Sequence, residues 1–307
     1  MDALVTGGAG FIGSHLVDAL LARGDAVRVL DDLSTGRADN VDPRAELING
    51  SVTDLDAVTV AVSGAEVVFH LGARGAVARS VADPTGSNHA NVDGTLCVLN
   101  AAVASGARRV VFASSSSVYG GTDVVPTPES VPLRPRSPYA VSKLAAEWYT
   151  IVFGELYPIE TVALRYFNVF GPRQRSDSTY AAVIPLFMRA LLDGERPTVH
   201  GDGSQSRDFT YVADVVAANL AAAFAPADAC SARAFNVAPG TSHTLVELLA
   251  TLGGLVGVDP DPVFVAARAG DVHRSQADAS AAAAALDWRS TWSLDDGLRA
   301  TLAWARG

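Results

Sequence analysis

The chain has 307 residues, of which 49% are hydrophobic and 18% charged, and its 23 basic and 33 acidic side chains give a formal net charge of −10. This charge repels phosphate backbones and anionic lipids, and no apolar run reaches the roughly 18 residues of a transmembrane helix, so nucleic-acid-binding and membrane-spanning functions are excluded. Cys97 and Cys230 fit neither a disulfide framework nor a metal-ligand spacing, and a strand pattern begins at Ala3 with no signal segment before it. We therefore expect a cytoplasmic protein without a metal site.

Short β-branched runs alternate with longer helical patterns through the first half of the chain. This alternation is typical of right-handed βαβ units, whose strands form a parallel sheet covered by helices on both faces. The predicted strands span residues 3–6, 26–30, 46–49, 67–71, 109–114 and 161–166, and the predicted helices span 11–22, 92–104 and 140–157. The fold class is therefore α/β, with a doubly wound parallel sheet.

After Gly171, closely spaced proline and glycine residues divide the chain into short segments. We predict a larger domain over residues 1–170 and a smaller, irregular C-terminal domain over residues 171–307. An alanine-rich helix at 212–225 and a short strand at 234–237 indicate that residues 210–240 return to the sheet of the larger domain.

A glycine-rich loop follows the first strand and opens the first helix, with glycines at positions 7, 10 and 13. A pyrophosphate needs close approach to the backbone, which a Cβ would block, and free N–H groups at a helix N-terminus. The position of the loop predicts a dinucleotide site in a Rossmann-type sheet. The alternative is a tight turn that binds nothing.

The second strand ends in Asp31 and Asp32, about twenty residues after the glycine loop. A carboxylate there accepts the ribose hydroxyls of an adenosine and repels a 2′-phosphate, so NAD is favoured over NADP despite Arg37 nearby. After the third strand, where an acid near the adenine is often found, the chain has Ser51 and Val52; Asp54 is a possible substitute.

Tyr139 and Lys143 are four residues apart and therefore share one face of a helix that begins after Pro138. A tyrosine base near pH 7 needs its pKa lowered from about 10, by about three units or roughly 4 kcal/mol. A lysine ammonium and an oxidised nicotinamide ring together supply a change of that size. Four serines, at positions 114–117, end the fifth strand, where ligands bind in open α/β sheets.

As a set, these motifs resemble the nucleotide-sugar epimerases and dehydratases of the extended short-chain dehydrogenase/reductase superfamily, over essentially the whole chain. The resemblance extends through residues 69–73 (FHLGA), 91–95 (NVDGT), 164–172 (LRYFNVFGP), 201–209 (GDGSQSRDF) and 268–271 (RAGD). It implies that Ser115 is the catalytic hydroxyl, Tyr139 the base and Lys143 its cationic partner. It also implies that residues 1–170 bind NAD and that residues 171–307 bind a nucleotide sugar.

The resemblance assigns further residues to the two ligands. The cofactor set is Gly7, Gly10, Phe11, Ile12, Gly13, Asp31, Asp32, Ser51, Val52, Leu71, Gly72, Ala73, Asn91, Tyr139, Lys143 and Tyr166. The substrate set is Ser115, Ser116, Asn168, Arg175, Arg207, Arg268, Asp271 and Ser275. In the substrate set, the two arginines at 207 and 268 are expected to face a diphosphate, where guanidinium groups make bidentate contacts.

Two neighbouring residues favour epimerisation over dehydration. Similar 4,6-dehydratases carry an Asp-Glu pair directly after the catalytic hydroxyl, whereas this chain has Ser116 and Ser117. Without those carboxylates, elimination of water lacks its acid and base. We therefore expect NAD-dependent C4 epimerisation of a UDP-hexose, with a 4,6-dehydratase and a non-catalytic NAD-binding regulator as alternatives.

The sugar is open at this stage. UDP-glucose and UDP-galactose are the central expectation, and a small residue at Ser275 would also admit the acetamido group of UDP-N-acetylglucosamine. Arg175 resembles the carboxylate-binding arginine of UDP-glucuronate 4-epimerases, although those usually carry threonine where this chain has Asn168. An apolar helix face that includes Trp148 and Ile151 predicts a homodimer.

Overall fold

The computed structural model describes residues 1–177, 181–267 and 272–307. Its strands, in chain order, are β1 (Asp2–Thr6), β2 (Ala26–Asp31), β3 (Glu46–Asn49), β4 (Val67–His70), β5 (Arg109–Ser115), β6 (Glu160–Tyr166), β7 (Val169–Phe170), β8 (Thr198–His200), β9 (Ser206–Arg207), β10 (Thr210–Tyr211), β11 (Arg233–Val237), β12 (His243–Thr244) and β13 (Val263–Val265). Its helices are α1 (Phe11–Ala22), α2 (Leu55–Val62), α3 (Val77–Ala82), α4 (Pro84–Asn88), α5 (Gly94–Ser105), α6 (Pro138–Leu156), α7 (Val183–Leu192), α8 (Val212–Phe224), α9 (Ala227–Cys230), α10 (Leu245–Val256), α11 (Ser280–Leu286) and α12 (Leu294–Ala305).

Seven strands form one parallel sheet in the order β11-β6-β5-β4-β1-β2-β3. The chain runs outward from β1 to β3 at one edge, then crosses back to place β4 against the other side of β1. The strand order therefore reverses between β1 and β4, and open α/β sheets bind ligands at the carboxyl ends of the strands beside such a point. The predicted Rossmann-type α/β sheet is confirmed.

Both faces of the sheet are covered, which explains why its strands read as continuous apolar runs. On one face, Val5 packs with Leu16 of α1 and Val215 of α8. On the other, Leu4 packs with residues of α2 and α5 that include Leu99. All five of these leucine and valine side chains are fully buried.

Outside this sheet, the remaining strands form three two-stranded pairs: β7 with β10, β8 with β13, and β9 with β12. A third apolar core lies here, where Phe187 of α7 packs with Leu248 of α10 and Leu298 of α12. Phe11 and Ile12, at the start of α1, pack against this third core. The first helix therefore contacts both halves of the chain.

Local sequence sets the ends of the helices that matter for the site. The 19-residue α6 begins because the Ser137 side chain accepts the backbone N–H of Ala140 and Pro138 occupies the first helical position. Helix α5 begins two residues later than predicted, because His89–Asp93 form a π-helical turn that joins α4 to α5. That turn carries Asn91, one of the predicted cofactor residues.

Within the described part of the chain, no helix is both long enough and apolar enough to cross a membrane.

Candidate active site

The glycine loop between β1 and α1 packs directly against the carboxyl end of β4. Gly7 has a φ of +71°, and a Cβ there would lie 2.8 Å from the backbone nitrogen of Gly72. A Cβ at Gly13 would collide with the carbonyl oxygen of Gly7, so both positions require glycine. At Gly10, a Cβ would meet one described atom, the Gly7 carbonyl oxygen at 3.1 Å. The outer face of the loop is therefore open beside the N-terminus of α1.

The Asp31 carboxylate lies beside this loop, at the last residue of β2. Its two oxygens accept backbone N–H groups, one from Ala9 at 2.9 Å and one from Leu33 at 2.9 Å. Burial raises the pKa of Asp31, and these two hydrogen bonds oppose that change. Asp32 is exposed and instead accepts hydrogen bonds from the backbone and side chain of Ser34. The two carboxylates therefore have different surroundings.

Two residues predicted near the cofactor, Val52 and Asn91, lie close to the segment that follows β4. Val52 lies close to Gly72 and Gly94, since a Cβ built at either glycine would approach its side chain within 3 Å. The Asn91 side chain accepts the backbone N–H of Arg74 at 2.7 Å and donates to the Ser142 hydroxyl at 2.9 Å. Asn91 thus joins α6 to the segment after β4, which includes Leu71 and Ala73. The Ser51 hydroxyl, in contrast, bonds locally with the Thr53 hydroxyl.

The glycine loop, Asp31 and the segment after β4 together form what we call the cofactor groove, which fits a dinucleotide. The Cβ-free loop leaves room for a pyrophosphate, the N-terminus of α1 presents N–H groups to it, and Asp31 stands where a ribose would lie. The carboxylate also disfavours a 2′-phosphate. The residues present therefore suit NAD.

The three predicted catalytic side chains meet at the carboxyl end of β5. The Tyr139 phenol hydrogen-bonds with the Ser115 side chain, which lowers the phenol pKa, whereas burial raises it more. Lys143 is 4% exposed, and its Nζ donates to the carbonyl oxygen of Ala113 at 2.7 Å. Its ammonium also lies 4.9 Å from the ring centroid of Phe112. Burial lowers the pKa of Lys143 to about 7.

The backbone of Tyr139 is held from both sides. Its N–H donates to the Ser80 hydroxyl of α3 at 2.9 Å, and its carbonyl oxygen accepts the Ser142 hydroxyl at 2.8 Å. Ser80 is fully buried, and Ser142 is the residue that Asn91 also contacts. The start of α6 is therefore fixed against both the cofactor groove and α3.

His70, at the end of β4, is a fully buried neutral residue beside Lys143. Its pKa is lowered to about 3 by burial and by the lysine charge. Its two ring nitrogens bond with the hydroxyls of Thr6 at 2.7 Å and Thr95 at 2.9 Å. Because Thr95 already donates to the Asn91 carbonyl, it accepts from the Nε2–H of His70, which assigns one neutral tautomer to the ring.

A cavity of about 720 Å³ takes most of its walls from the C-terminal half of the chain. Its lining includes Val77 at the start of α3, together with Asn168, Phe187 and Arg207. The Asn168 side chain donates to the carbonyl oxygen of Asp208 at 3.0 Å. The volume is within the range of small-molecule sites, and the mixed polar and apolar lining suits a nucleotide.

The other predicted substrate residues have distinct positions. Ser275 lies next to β9, where its N–H donates to the Ser206 carbonyl at 3.1 Å, and Ser116 is half-buried beside Ser115. Arg175 is paired with Asp177 at 2.9 Å and reaches the Thr35 carbonyl, in the loop after β2, at 3.4 Å. Arg268 and Asp271 lie outside the described residues.

Tyr166, predicted beside the nicotinamide, directs its hydroxyl to another partner. The hydroxyl bonds with the Asn219 amide of α8, with distances of 3.0 and 2.8 Å to the amide oxygen and nitrogen. The ring belongs to the core between the sheet and α8. Any contact of Tyr166 with a cofactor would therefore be through its ring edge or backbone.

Two further observations concern residues that the sequence motifs already contain. The Ser117 hydroxyl is buried and has no hydrogen-bond partner among the described residues. Lys143 is the only lysine in the chain, since the other 22 of the 23 basic residues are arginines. A count of residue types already sets Lys143 apart from the other cations. A buried lysine can lose its charge near neutral pH, whereas an arginine stays charged.

Comparison with known proteins places these features in context. Residues 3–238 match the model of the NAD dependent epimerase/dehydratase family. The chain is 40% identical to a UDP-glucose 4-epimerase of Mycolicibacterium smegmatis, over 100% of this chain and 99% of that protein.

Two solved structures are similar along their whole length. A UDP-glucose 4-epimerase of Thermotoga maritima, solved with UDP-glucose, has a TM-score of 0.95 and 37% identity, covering 100% of this chain and 99% of its own. A UDP-N-acetylglucosamine 4-epimerase of Methanobrevibacter ruminantium, solved with UDP-N-acetylmuramic acid, has a TM-score of 0.94 and 38% identity, covering 99% and 98%.

Proposed function

The chain belongs to the NAD dependent epimerase/dehydratase family, whose cofactor is NAD, and from that premise we propose that it interconverts UDP-glucose and UDP-galactose at C4. The observation that carries this proposal is the hydrogen bond between Ser115 and the Tyr139 phenol, near the buried Lys143 on the same face of α6. A cavity of about 720 Å³ in the C-terminal half of the chain is large enough for a nucleotide sugar. We also propose that NAD binds to the domain formed by residues 1–170 with 210–240, and that the sugar nucleotide binds to the domain formed by residues 171–307.

In the proposed reaction, the Tyr139 phenolate takes the proton of the sugar 4-hydroxyl. NAD, held by the glycine loop and Asp31, would supply reversible hydride transfer at C4, which makes inversion through a 4-keto sugar possible. Tyr139 then gives the proton back to the 4-oxygen, so the reaction is a net isomerisation. Ser115 donates a hydrogen bond to the phenolate, and the Lys143 charge favours its ionised form. Arg207 is the proposed ligand of the diphosphate.

Epimerisation is favoured over dehydration because Ser116 and Ser117 occupy the place of an acid-base pair. The unpartnered Ser117 hydroxyl suits a hydrogen bond to a sugar hydroxyl, but at neutral pH it is too weak an acid or base for elimination of water. UDP-N-acetylglucosamine is a second candidate substrate, supported by the small side chain of Ser275. UDP-glucuronate is less favoured, because its carboxylate would have to displace Asp177 from Arg175.

We also propose that the protein is a homodimer. The outward face of α6 exposes Trp148 (56%), Val152 (41%) and Leu156 (73%), next to the partly buried Ile151. A helix face with this much exposed apolar area suits pairing with its own copy about a two-fold axis.

The proposed function is tested by incubating the purified protein separately with UDP-glucose, UDP-N-acetylglucosamine and UDP-glucuronate, without added NAD. Products are resolved by anion exchange and proton NMR. Conversion of UDP-glucose to its C4 epimer is the expected result, and it would also show that NAD is retained. A 4-keto-6-deoxy product from a TDP-glucose control would instead indicate a dehydratase. NAD binding without any product would indicate a regulator.

A further inference from the structure

A buried ion pair lies behind the catalytic side chains and is not used by the proposed chemistry. Glu147 of α6 and Arg165 of β6 are 0% and 5% exposed, and their closest oxygen–nitrogen distance is 2.6 Å. The Arg165 Nε also donates to both Glu147 oxygens, at 3.2 and 3.0 Å. Glu147 follows Tyr139 by eight residues and Lys143 by four, so all three share one face of α6.

The pair contacts the serine segment at both of its ends. The Ser114 hydroxyl donates to the Glu147 carboxylate at 2.5 Å, directly before Ser115. Arg165 donates to the Tyr119 hydroxyl at 2.8 Å, at the end of the short helix Ser116–Tyr119. Ser115 therefore lies between two residues that the same ion pair anchors.

A fully buried ion pair is costly to form, and an apolar pair of similar volume often gives equal or greater stability. Such a pair is best explained where it fixes the register of the elements it joins. Here it joins three of them: the end of β5, the catalytic helix α6 and β6. We propose that Glu147 and Arg165 are positioning residues that hold the Ser115 hydroxyl against the Tyr139 phenol. This inference rests on the proposed function.

The inference predicts that a change at Glu147 alters the pKa of Tyr139, through Ser115. The Ser115 hydrogen bond stabilises the phenolate, so displacing Ser115 raises the pKa of Tyr139. The ionisable groups that face the pair are Tyr119, from the short helix after β5, and Glu129, from the loop before α6.

The chain offers a matched control on the same two strands. Arg109 begins β5 and Glu160 begins β6, and the Arg109 Nε donates to the Glu160 carboxylate at 2.6 Å. This second pair lies at the amino ends of the strands, away from the site. Glu147→Gln and Glu160→Gln each remove one charge from an ion pair between secondary structure elements, so both are expected to lower stability.

The test is an ultraviolet difference titration of tyrosine ionisation in the NAD-loaded protein, from which the titration of the same variant carrying Tyr139→Phe is subtracted to isolate Tyr139. In Glu147→Gln, the pKa of Tyr139 is expected to rise by about one unit or more, the loss of one hydrogen bond to a charged group. In Glu160→Gln it is expected to stay at the wild-type value. An unchanged Tyr139 pKa in Glu147→Gln, or an equal rise in both variants, would overturn the proposal.

A second variant covers poor folding of Glu147→Gln. Ser114→Ala removes one contact to the pair and leaves the ion pair intact, and it is expected to raise the Tyr139 pKa in the same direction. If wild-type protein epimerises UDP-glucose, kcat in either variant should fall roughly 10- to 100-fold while KM changes little, as for a misplaced reacting group. Because the titration needs no turnover, an inactive wild type would contradict the proposed function and still leave this inference tested.

Discussion

The ammonium of Lys143 donates to the carbonyl oxygen of Ala113 at 2.7 Å, two residues before Ser115 on β5. This bond joins α6 to β5, the strand that carries the serine segment. The ring of Phe112 lies against the ammonium, and burial lowers the pKa of Lys143 to about 7. A group with that pKa changes its charge in the pH range where the proposed base must be ionised.

The first prediction is a direct measurement of this pKa. Because Lys143 is the only lysine in the sequence, protein grown with isotope-labelled lysine gives one lysine side-chain signal in a carbon NMR spectrum. That signal is expected to titrate near pH 7 in folded protein stripped of NAD. In protein unfolded by urea it is expected to titrate at about pH 10.4, the usual pKa of an exposed lysine. A folded-state midpoint above pH 9 would contradict the burial argument.

The second prediction concerns stability. Since the folded pKa of Lys143 lies below its unfolded value of about 10.4, the unfolded chain binds more protons between pH 7 and pH 10. Lys143 therefore destabilises the fold most below pH 7, and this cost disappears as the pH rises toward 10. In urea unfolding of NAD-free protein, the free energy of unfolding of Lys143→Met should rise relative to that of wild type as the pH falls, by up to about 5 kcal/mol. If the stability difference between Lys143→Met and wild type did not depend on pH, this prediction would be wrong.

The third prediction isolates the phenol of Tyr139. Tyr139→Phe is expected to lower epimerase activity by about 10²- to 10⁴-fold, the usual loss when a general acid-base group is removed, with NAD binding retained. Tyr149→Phe is the matched control, because Tyr149 is on the same helix and 42% exposed. Activity is measured from the product ratio and NAD from its fluorescence after reduction. Near-wild-type turnover in Tyr139→Phe would rule out the proposed mechanism.

The sheet and the conformation of the glycine loop were predictable because their signals are local. Buried strands read as apolar runs, and Gly7, Gly13 and Asp31 stand at fixed distances from the ends of β1 and β2. The supporting contacts have no such signal. Ser80 meets the backbone of Tyr139 from 59 residues away, and Ser114 meets Glu147 across 33 residues. No sequence motif marks Glu147, because its partners come together only when α6 packs against the sheet.

The fourth prediction compares the two neighbouring carboxylates after β2. Asp31→Ala leaves the N–H groups of Ala9 and Leu33 without their acceptor and removes the proposed ribose ligand. NAD affinity is expected to fall about 10- to 100-fold, equivalent to about 1–3 kcal/mol, and discrimination against NADP is expected to weaken. Asp32→Ala, which alters a local turn with Ser34, should change NAD affinity less than threefold, about 0.6 kcal/mol. Both affinities are measured by calorimetry, and equal losses in the two variants would contradict the assignment of Asp31.

The fifth prediction tests the proposed homodimer through two exposed tryptophans of similar accessibility. Trp148 on α6 is 56% exposed and Trp304 on α12 is 50% exposed. A carboxylate in the centre of an apolar interface is buried without a partner, so Trp148→Glu is expected to produce monomers in sedimentation velocity at micromolar concentration. Trp304→Glu should sediment as the wild-type dimer, because α12 lies outside the proposed interface. A monomeric wild type, or a dimer that persists in Trp148→Glu and dissociates in Trp304→Glu, would show that the outward face of α6 is not the dimer interface.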